Sequence, residues 1–269
     1  MSRAHVRGGS GLGDAIYLQS VARHLARDHD VTAHTDYADV FRPLAGRVKV
    51  GHFRRDGITH VAHYSSRRRQ SETTQFQDCC INARINEPVD LRLDWRQVDG
   101  GKARRYRRDD MPLVLVQAPR APFGNRPDCY GIELLPDFQK MQRAIDLIAA
   151  RATVVQVGTG KPLYEFSGID EDLTDRTSVI ELIDLCAEAD GFLGYVSYMI
   201  PMAEALKKPA LFIWSHRGLL VHDRIIKSIT PDKIFHGNHC KAVFDNADDR
   251  EMRNAANTFF DLCRREALV

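Results

Sequence analysis

The chain lacks most of the signatures that assign a function on sight. Its six cysteines, Cys79, Cys80, Cys129, Cys186, Cys240 and Cys263, form no CxxC pair and show no zinc spacing. Cys186 and Cys263 fall on apolar helical faces and read as reduced core residues, and nothing in the sequence requires a metal. A charged-then-apolar leader is missing, and no apolar run approaches membrane-spanning length, so the expectation is a cytoplasmic protein without a transmembrane segment. A net charge of +2 favours neither sign of partner. Internal repeats and low-complexity tracts are absent. No Lys-Ser/Thr pair follows the glycine-rich stretch near the N-terminus, which excludes a P-loop. Nor does a third glycine stand at the dinucleotide spacing, because Gly13 falls one residue early and Asp14 takes that place.

What is present begins with that same stretch. Ala4, His5 and Val6 form a short extended run, followed by Gly8-Gly9-Ser10-Gly11-Leu12-Gly13-Asp14. Leu18, Val21, Ala22 and Leu25 then recur at helical spacing. Strand, glycine loop and helix start in this order aim the helix N–H groups at a ligand beyond the strand. Asp14 at such a start reads equally as a helix cap or as a carboxylate presented to a site. Two compact basic clusters, Arg67-Arg68-Arg69 and the run from Lys102 to Arg108, read as solvated loops or as a site for an anionic acceptor.

The organisation is two α/β halves, 1–108 and 109–269. The first carries the opening strand, a helix from Asp14 to about Arg27, strands at 31–34, 48–50 and 58–62, and a short helix near 74–83. A charged segment from Asp99 to Asp110 reads as the linker. The second half carries strands at 113–116, 153–157, 191–194 and 210–214, the last of these closing the sheet. Helices follow at about 136–150, from Ser178, through Leu206, and at about 248–265; the final helix could pack back on the first half. Repeated βα units with aliphatic strands imply two Rossmann-like, doubly wound parallel sheets facing a cleft. Two loops of the second half end neighbouring strands there: Gly158-Thr159-Gly160-Lys161 and Ser197-Tyr198.

Two segments carry a family resemblance. Gly11-Leu12-Gly13-Asp14-Ala15-Ile16 is similar to the Gly-Asp opening, and the run from Asp172 to Trp214 is similar to the donor-side half, of the heptosyltransferase-like glycosyltransferases of the GT-B fold. The longer run reads Asp-Leu-Thr-Asp-Arg-Thr-Ser-Val-Ile-Glu-Leu, then Ala-Asp-Gly-Phe-Leu-Gly, then Tyr-Val-Ser-Tyr-Met-Ile-Pro-Met-Ala-Glu-Ala-Leu-Lys-Lys-Pro. It departs from the family's D-S-G-x-x-H motif, whose positions fall on Val196, Ser197, Tyr198 and Pro201.

The resemblance implies transfer of a sugar from a nucleotide-sugar donor, the co-substrate, to an acceptor hydroxyl, with no metal and no other cofactor. It implies Asp14 as general base, with Ser10, Gly11 and Gly13 forming the acceptor-side loop. Arg67, Arg68 and Arg69 would meet an anionic acceptor: a saccharide, a lipopolysaccharide core, or a modified base in DNA. Arg120, Arg126, Gly158, Thr159, Gly160, Lys161, Ser197 and Tyr198 would hold the donor's phosphates, and Glu165 a ribose hydroxyl. Two other classes stay open at this point. One is a catalytically silent nucleotide- or sugar-binding module with the same shell. The other, a nicotinamide-dependent oxidoreductase, has only Asp36 as a ribose-binding acid and the wrong glycine spacing. The sequence leaves the sugar, the stereochemical course and the oligomeric state open.

Overall fold

A computed structural model describes residues 1–51, 57–64, 73–95, 103–108, 110–119, 135–160, 162–216 and 230–266. In the first half, β1 (Ser2–Arg7), β2 (His29–His34), β3 (Val48–Val50) and β4 (Ile58–Val61) form one sheet in the order β3-β2-β1-β4. Every pairing in it is parallel. In the second, β5 (Leu113–Gln117), β6 (Thr153–Val157), β7 (Glu171–Asp172), β8 (Gly191–Gly194), β9 (Ala210–Trp214) and β10 (Cys240–Phe244) form a parallel sheet in the order β10-β9-β8-β5-β6-β7. The expected pair of doubly wound parallel sheets is therefore present. The second is wider than the sequence reading by two strands, β7 and β10.

The reason lies in their position. β5, β6, β8 and β9 are buried along their whole length, in keeping with their predominantly apolar sequences. β10 is an edge strand with Lys241 and Ala242 half-buried, and β7 is only two residues long, both acidic. Neither produces an apolar run for periodicity to detect.

The helices are α1 (Leu12–Leu25), α2 (Gln75–Asn82), α3 (Phe138–Ala149), α4 (Val179–Glu188), α5 (Met199–Leu206), the single turn α6 (Pro231–Ile234) and α7 (Asp249–Glu266). Thr74, Asp137 and Ser178 each cap a helix through the side chain, accepting from the backbone N–H three residues on. α7 packs on the second sheet. Its stripe of Met252, Ala256, Phe259, Phe260 and Cys263 is buried in one cluster with β9 and α3 residues. The Phe259 ring lies where a Cβ on Gly191 would stand 2.6 Å away, so glycine at the start of β8 makes room for it. Arg151 stacks over the Phe260 ring at 3.9 Å, and Arg143 pairs with Asp249 at 2.7 Å.

The charged run read as a linker is docked rather than free where it is described. Arg107 pairs with Asp190, Arg108 with Asp170 (2.9 Å), and the Ala103 N–H donates to Glu188. These arginines are committed to acidic partners of the second half.

α1 is buried on nearly every side, including Gln19 and Ser20, because it lies between the first sheet, the segment 90–95 and α5. Gln19 bonds the Val40 carbonyl (2.6 Å) and both the carbonyl and N–H of Asp94, and Ser20 Oγ donates to the Arg92 carbonyl. The same segment then grips the second half. Leu93 N–H donates to the Ala205 carbonyl, Lys207 Nζ to the Leu91 carbonyl, and Trp95 Nε1 to Asp184 Oδ1 at 2.6 Å. One buried apolar cluster accordingly runs from Ala4 through both halves to Cys240.

Candidate functional site

In an open parallel sheet, ligands bind beyond the carboxyl ends of strands where the order reverses. The second sheet reverses between β5 and β8. At that point Gln117, the last residue of β5, accepts a hydrogen bond from Ser197 Oγ just beyond β8. Ser197 Oγ in turn accepts from the Met199 N–H and so caps α5. Gly158, at the end of β6, adopts φ +141°, and a Cβ there would stand 3.9 Å from Gln117 Cγ. Its neighbour Gly160 (φ +79°) donates its N–H to Asp175 Oδ1, while Asp175 N–H returns to the Gly158 carbonyl. The turn Gly158-Thr159-Gly160 is thus closed on Asp175, with Thr159 and Gly160 exposed.

The first sheet reverses between β1 and β4, and the glycine loop leaves β1 there. Asp14, half-buried in the first turn of α1, accepts the Gly11 N–H through Oδ2 at 3.1 Å. A Cβ on Gly9 would meet that carboxylate at 2.3 Å, so a side chain there would push the Asp14 carboxylate from its present position. Around the carboxylate lie Tyr17, Tyr64 and Cys79, whose pKa values all rise, first through burial and further through neighbouring negative charge that includes Asp14. These three groups stay protonated and neutral at any physiological pH. Asp14 is therefore a cap with one oxygen engaged. Among the described residues its Oδ1 accepts no hydrogen bond.

The two loops meet. A Cβ on Gly13 would stand 2.9 Å from Pro201 Cγ and 3.4 Å from Tyr198 Cα. The start of α1 and the start of α5 therefore abut, with Asp14 one residue from the contact. The structure brings together Ser10, Gly11, Gly13 and Asp14 with Ser197 and Tyr198, and connects them through Gln117 to Gly158. Glu165 is exposed, on the segment whose Leu163 N–H bonds the Pro119 carbonyl after β5. Arg67, Arg68, Arg69, Arg120, Arg126 and Lys161 lie outside the described residues.

Sequence reasoning passed over three features of this end of the sheet. Gln117 is one; a polar residue ending a buried aliphatic strand was the available signal. Asp245, just past β10, is another: it is buried and accepts from His216 N–H (2.9 Å), His216 Nδ1 (2.5 Å) and Asp137 N–H (2.8 Å). Burial alone would raise its pKa, but these hydrogen bonds outweigh it and hold the carboxyl below its ordinary value. Ser215, after β9, is the third, with its Oγ buried and, among the described residues, without a hydrogen-bond partner. The carboxylates of one Asp-x-Asp run, Asp170-Glu171-Asp172, are engaged by other partners. Asp170 serves Val154 N–H and Arg108, Glu171 serves Arg176, and Asp172 serves Thr174.

No family model and no curated protein matches the sequence. Solved structures do match the fold over nearly the whole chain. The bacterial iron-containing dodecameric glycosyltransferase TibC from enterotoxigenic E. coli H10407 superposes with a TM-score of 0.66 at 12% identity, over 99% of this chain and 77% of that one. The E. coli ADP-heptose lps heptosyltransferase II gives 0.61 at 13% identity, over 98% and 99% of the two chains. The glycosyl transferase family 9 structure from Veillonella parvula DSM 2008 gives 0.61 at 8% identity, over 96% and 97%. The fold is that of GT-B glycosyltransferases, and its solved counterparts are heptosyltransferases and glycosyl transferase family 9 proteins. Among the described residues no helix is long and apolar enough to cross a membrane.

Proposed function

We propose that the protein is a glycosyltransferase that moves a sugar from a nucleotide-sugar donor to an acceptor hydroxyl. The observation that carries this reading is the meeting of the Asp14 helix start with the Ser197–Tyr198 helix start, one from each sheet, through Gly13 and Pro201. A carboxylate from the first half thereby stands beside the crevice of the second. In this reading Asp14 takes the acceptor proton through the oxygen not used for capping, and the half spanning 1–108 is the acceptor side. The half spanning 109–269 holds the donor over Gly158, Thr159, Ser197 and Tyr198, with Arg120, Arg126 and Lys161 neutralising the leaving diphosphate without a metal. Glu165 would hold the ribose. The similar ADP-heptose lps heptosyltransferase II and the TibC complex with ADP-D-beta-D-heptose make a nucleoside diphosphate with a hexose or heptose the first choice to test. The acceptor is a saccharide, such as a lipopolysaccharide core, or a modified nucleic-acid base, met in the cytoplasm.

A second reading is favoured by specific observations. The Ser197 hydroxyl is committed to Gln117 and Met199, the Gly160 N–H to Asp175, and Pro201 offers no polar atom to phosphate. A site with these donors withdrawn suits a module that binds a nucleotide sugar without turning it over. A panel of nucleotide sugars separates the two. Transfer, or slow donor hydrolysis that requires Asp14, supports the enzyme. Saturable binding with no turnover of any donor supports the module. Replacing Arg67, Arg68 and Arg69 together should weaken an anionic acceptor and flatten its salt dependence while leaving donor binding unchanged.

A further inference from the structure

Away from the cleft, Glu204 near the C-terminal end of α5 faces His239 and Cys240 at the amino end of β10. One ligating atom from each lies within 4.8 Å of the other two. The Glu204 side chain is 0% exposed, and among the described residues neither of its carboxylate oxygens has a hydrogen-bond partner. His239 Nε2 is likewise buried without one. A carboxylate removed from water and left without donors is among the least favourable groups a protein can bury. Its separation from the imidazole is informative: Glu204 Oε2 and His239 Nε2 stand 3.6 Å apart. That is too far for a hydrogen bond. It matches the spacing of two donors on one tetrahedral zinc ion, about 3.3–3.8 Å for bonds of about 2.0–2.3 Å.

The surroundings hold the ring in place. His239 also bonds the Ala203 backbone, which fixes the ring and leaves Nε2 directed at Glu204, the arrangement that supports a metal-bound imidazole. Gly237 permits this, since a Cβ there would stand 2.3 Å from His239 Cε1. Carboxylate, imidazole and thiol together are the donor set of borderline-soft divalent ions, not of magnesium or calcium.

We propose that Glu204, His239 and Cys240 bind one divalent transition-metal ion of the zinc class, fastening the end of α5 to the edge strand β10. On uptake a metal–sulfur bond forms at Cys240, and its thiol proton passes to solvent. A water molecule completes the fourth position. Along α5, Glu204 lies about 9 Å from Tyr198 by helical rise, so the ion would fix the helix that delivers the cleft loop rather than act on a leaving group.

The test uses the full-length chain, stripped of metal and then titrated with zinc or cobalt. The expected result is one equivalent bound per chain. Cobalt should show a thiolate charge-transfer band, and the melting midpoint should rise by about 5 °C or more once free zinc exceeds the Kd about 100-fold. Cys240→Ser should abolish the thiolate band. Glu204→Gln keeps the side-chain shape and should weaken zinc at least about tenfold, which keeps the proposal testable if the serine variant fails to fold. Wild-type protein that takes up neither ion overturns the proposal. So does a cobalt spectrum that both variants leave unchanged.

Discussion

A methyl group placed on Gly13 tests whether the two halves of the molecule stand in solution as the structure has them. The new Cβ would lie 2.9 Å from Pro201 Cγ and 3.4 Å from Tyr198 Cα, so the first contact is repulsive and the second only tight. In the first turn of α1, alanine gains about 1 kcal/mol over glycine. Overpacking against a buried proline costs about 1–3 kcal/mol. Gly13→Ala alone should therefore lower stability by roughly 0–2 kcal/mol, a result that by itself decides little. The double-mutant cycle decides it. Pro201→Ala removes two ring carbons at about 0.8 kcal/mol each and releases the unfolded chain by about 0.4–1 kcal/mol, for a loss of about 2–3 kcal/mol. In the double variant the alanine methyl enters the volume that Cγ leaves. The combined loss should then fall short of the sum by about 1–2 kcal/mol, measured by urea unfolding of all four proteins. Losses that add to within about 0.5 kcal/mol would mean that Gly13 and Pro201 do not touch. The placement of Asp14 beside the crevice of the second sheet would fall with that contact.

Other perturbations probe other parts of the argument. Asp14→Asn retains an oxygen for the Gly11 N–H, so donor binding and stability should hold while transfer falls by about 10²–10⁴-fold; full activity in this variant would end the assignment of Asp14 as base. Gln19→Leu leaves the Val40 carbonyl and the Asp94 carbonyl and N–H without their buried partner, and should cost at least about 2 kcal/mol in denaturant unfolding, against little change if segment 90–95 is held by its apolar contacts alone. Asp245 has a folded pKa below its unfolded value of about 3.9, so its contribution is complete above that value and is lost as pH falls through the folded pKa. The stability gap between wild type and Asp245→Asn, followed by melting midpoints from neutral pH downward, should be constant to about pH 5 and shrink below it; a gap independent of pH would refute the linkage.

What could be read from the sequence was whatever is local. β5, β6, β8 and β9 announce themselves because strands covered on both faces are predominantly apolar, and α1 because its glycine loop and its spacing agree. The stitching of the halves was not legible, because Gln19 meets Asp94 across 75 residues and Trp95 meets Asp184 across 89. No periodicity records such partners, and the segment that carries them is polar and extended. The same limit hid the Glu204, His239 and Cys240 cluster: spacing rules find ligands supplied by one loop, whereas these come from a helix and a strand more than thirty residues apart. Asp14 shows the limit at its sharpest. Sequence left it as cap or base in equal terms, and the geometry answers that the two are compatible, one oxygen bound to Gly11 and the other not committed among the described residues. Pro201 completes the point. Where the resembling family carries histidine, this chain carries a ring that packs against Gly13. The position thus contributes an apolar contact between the halves. The Gly13 cycle tests that contact directly, and the donor panel tests the proposed function that was built on it.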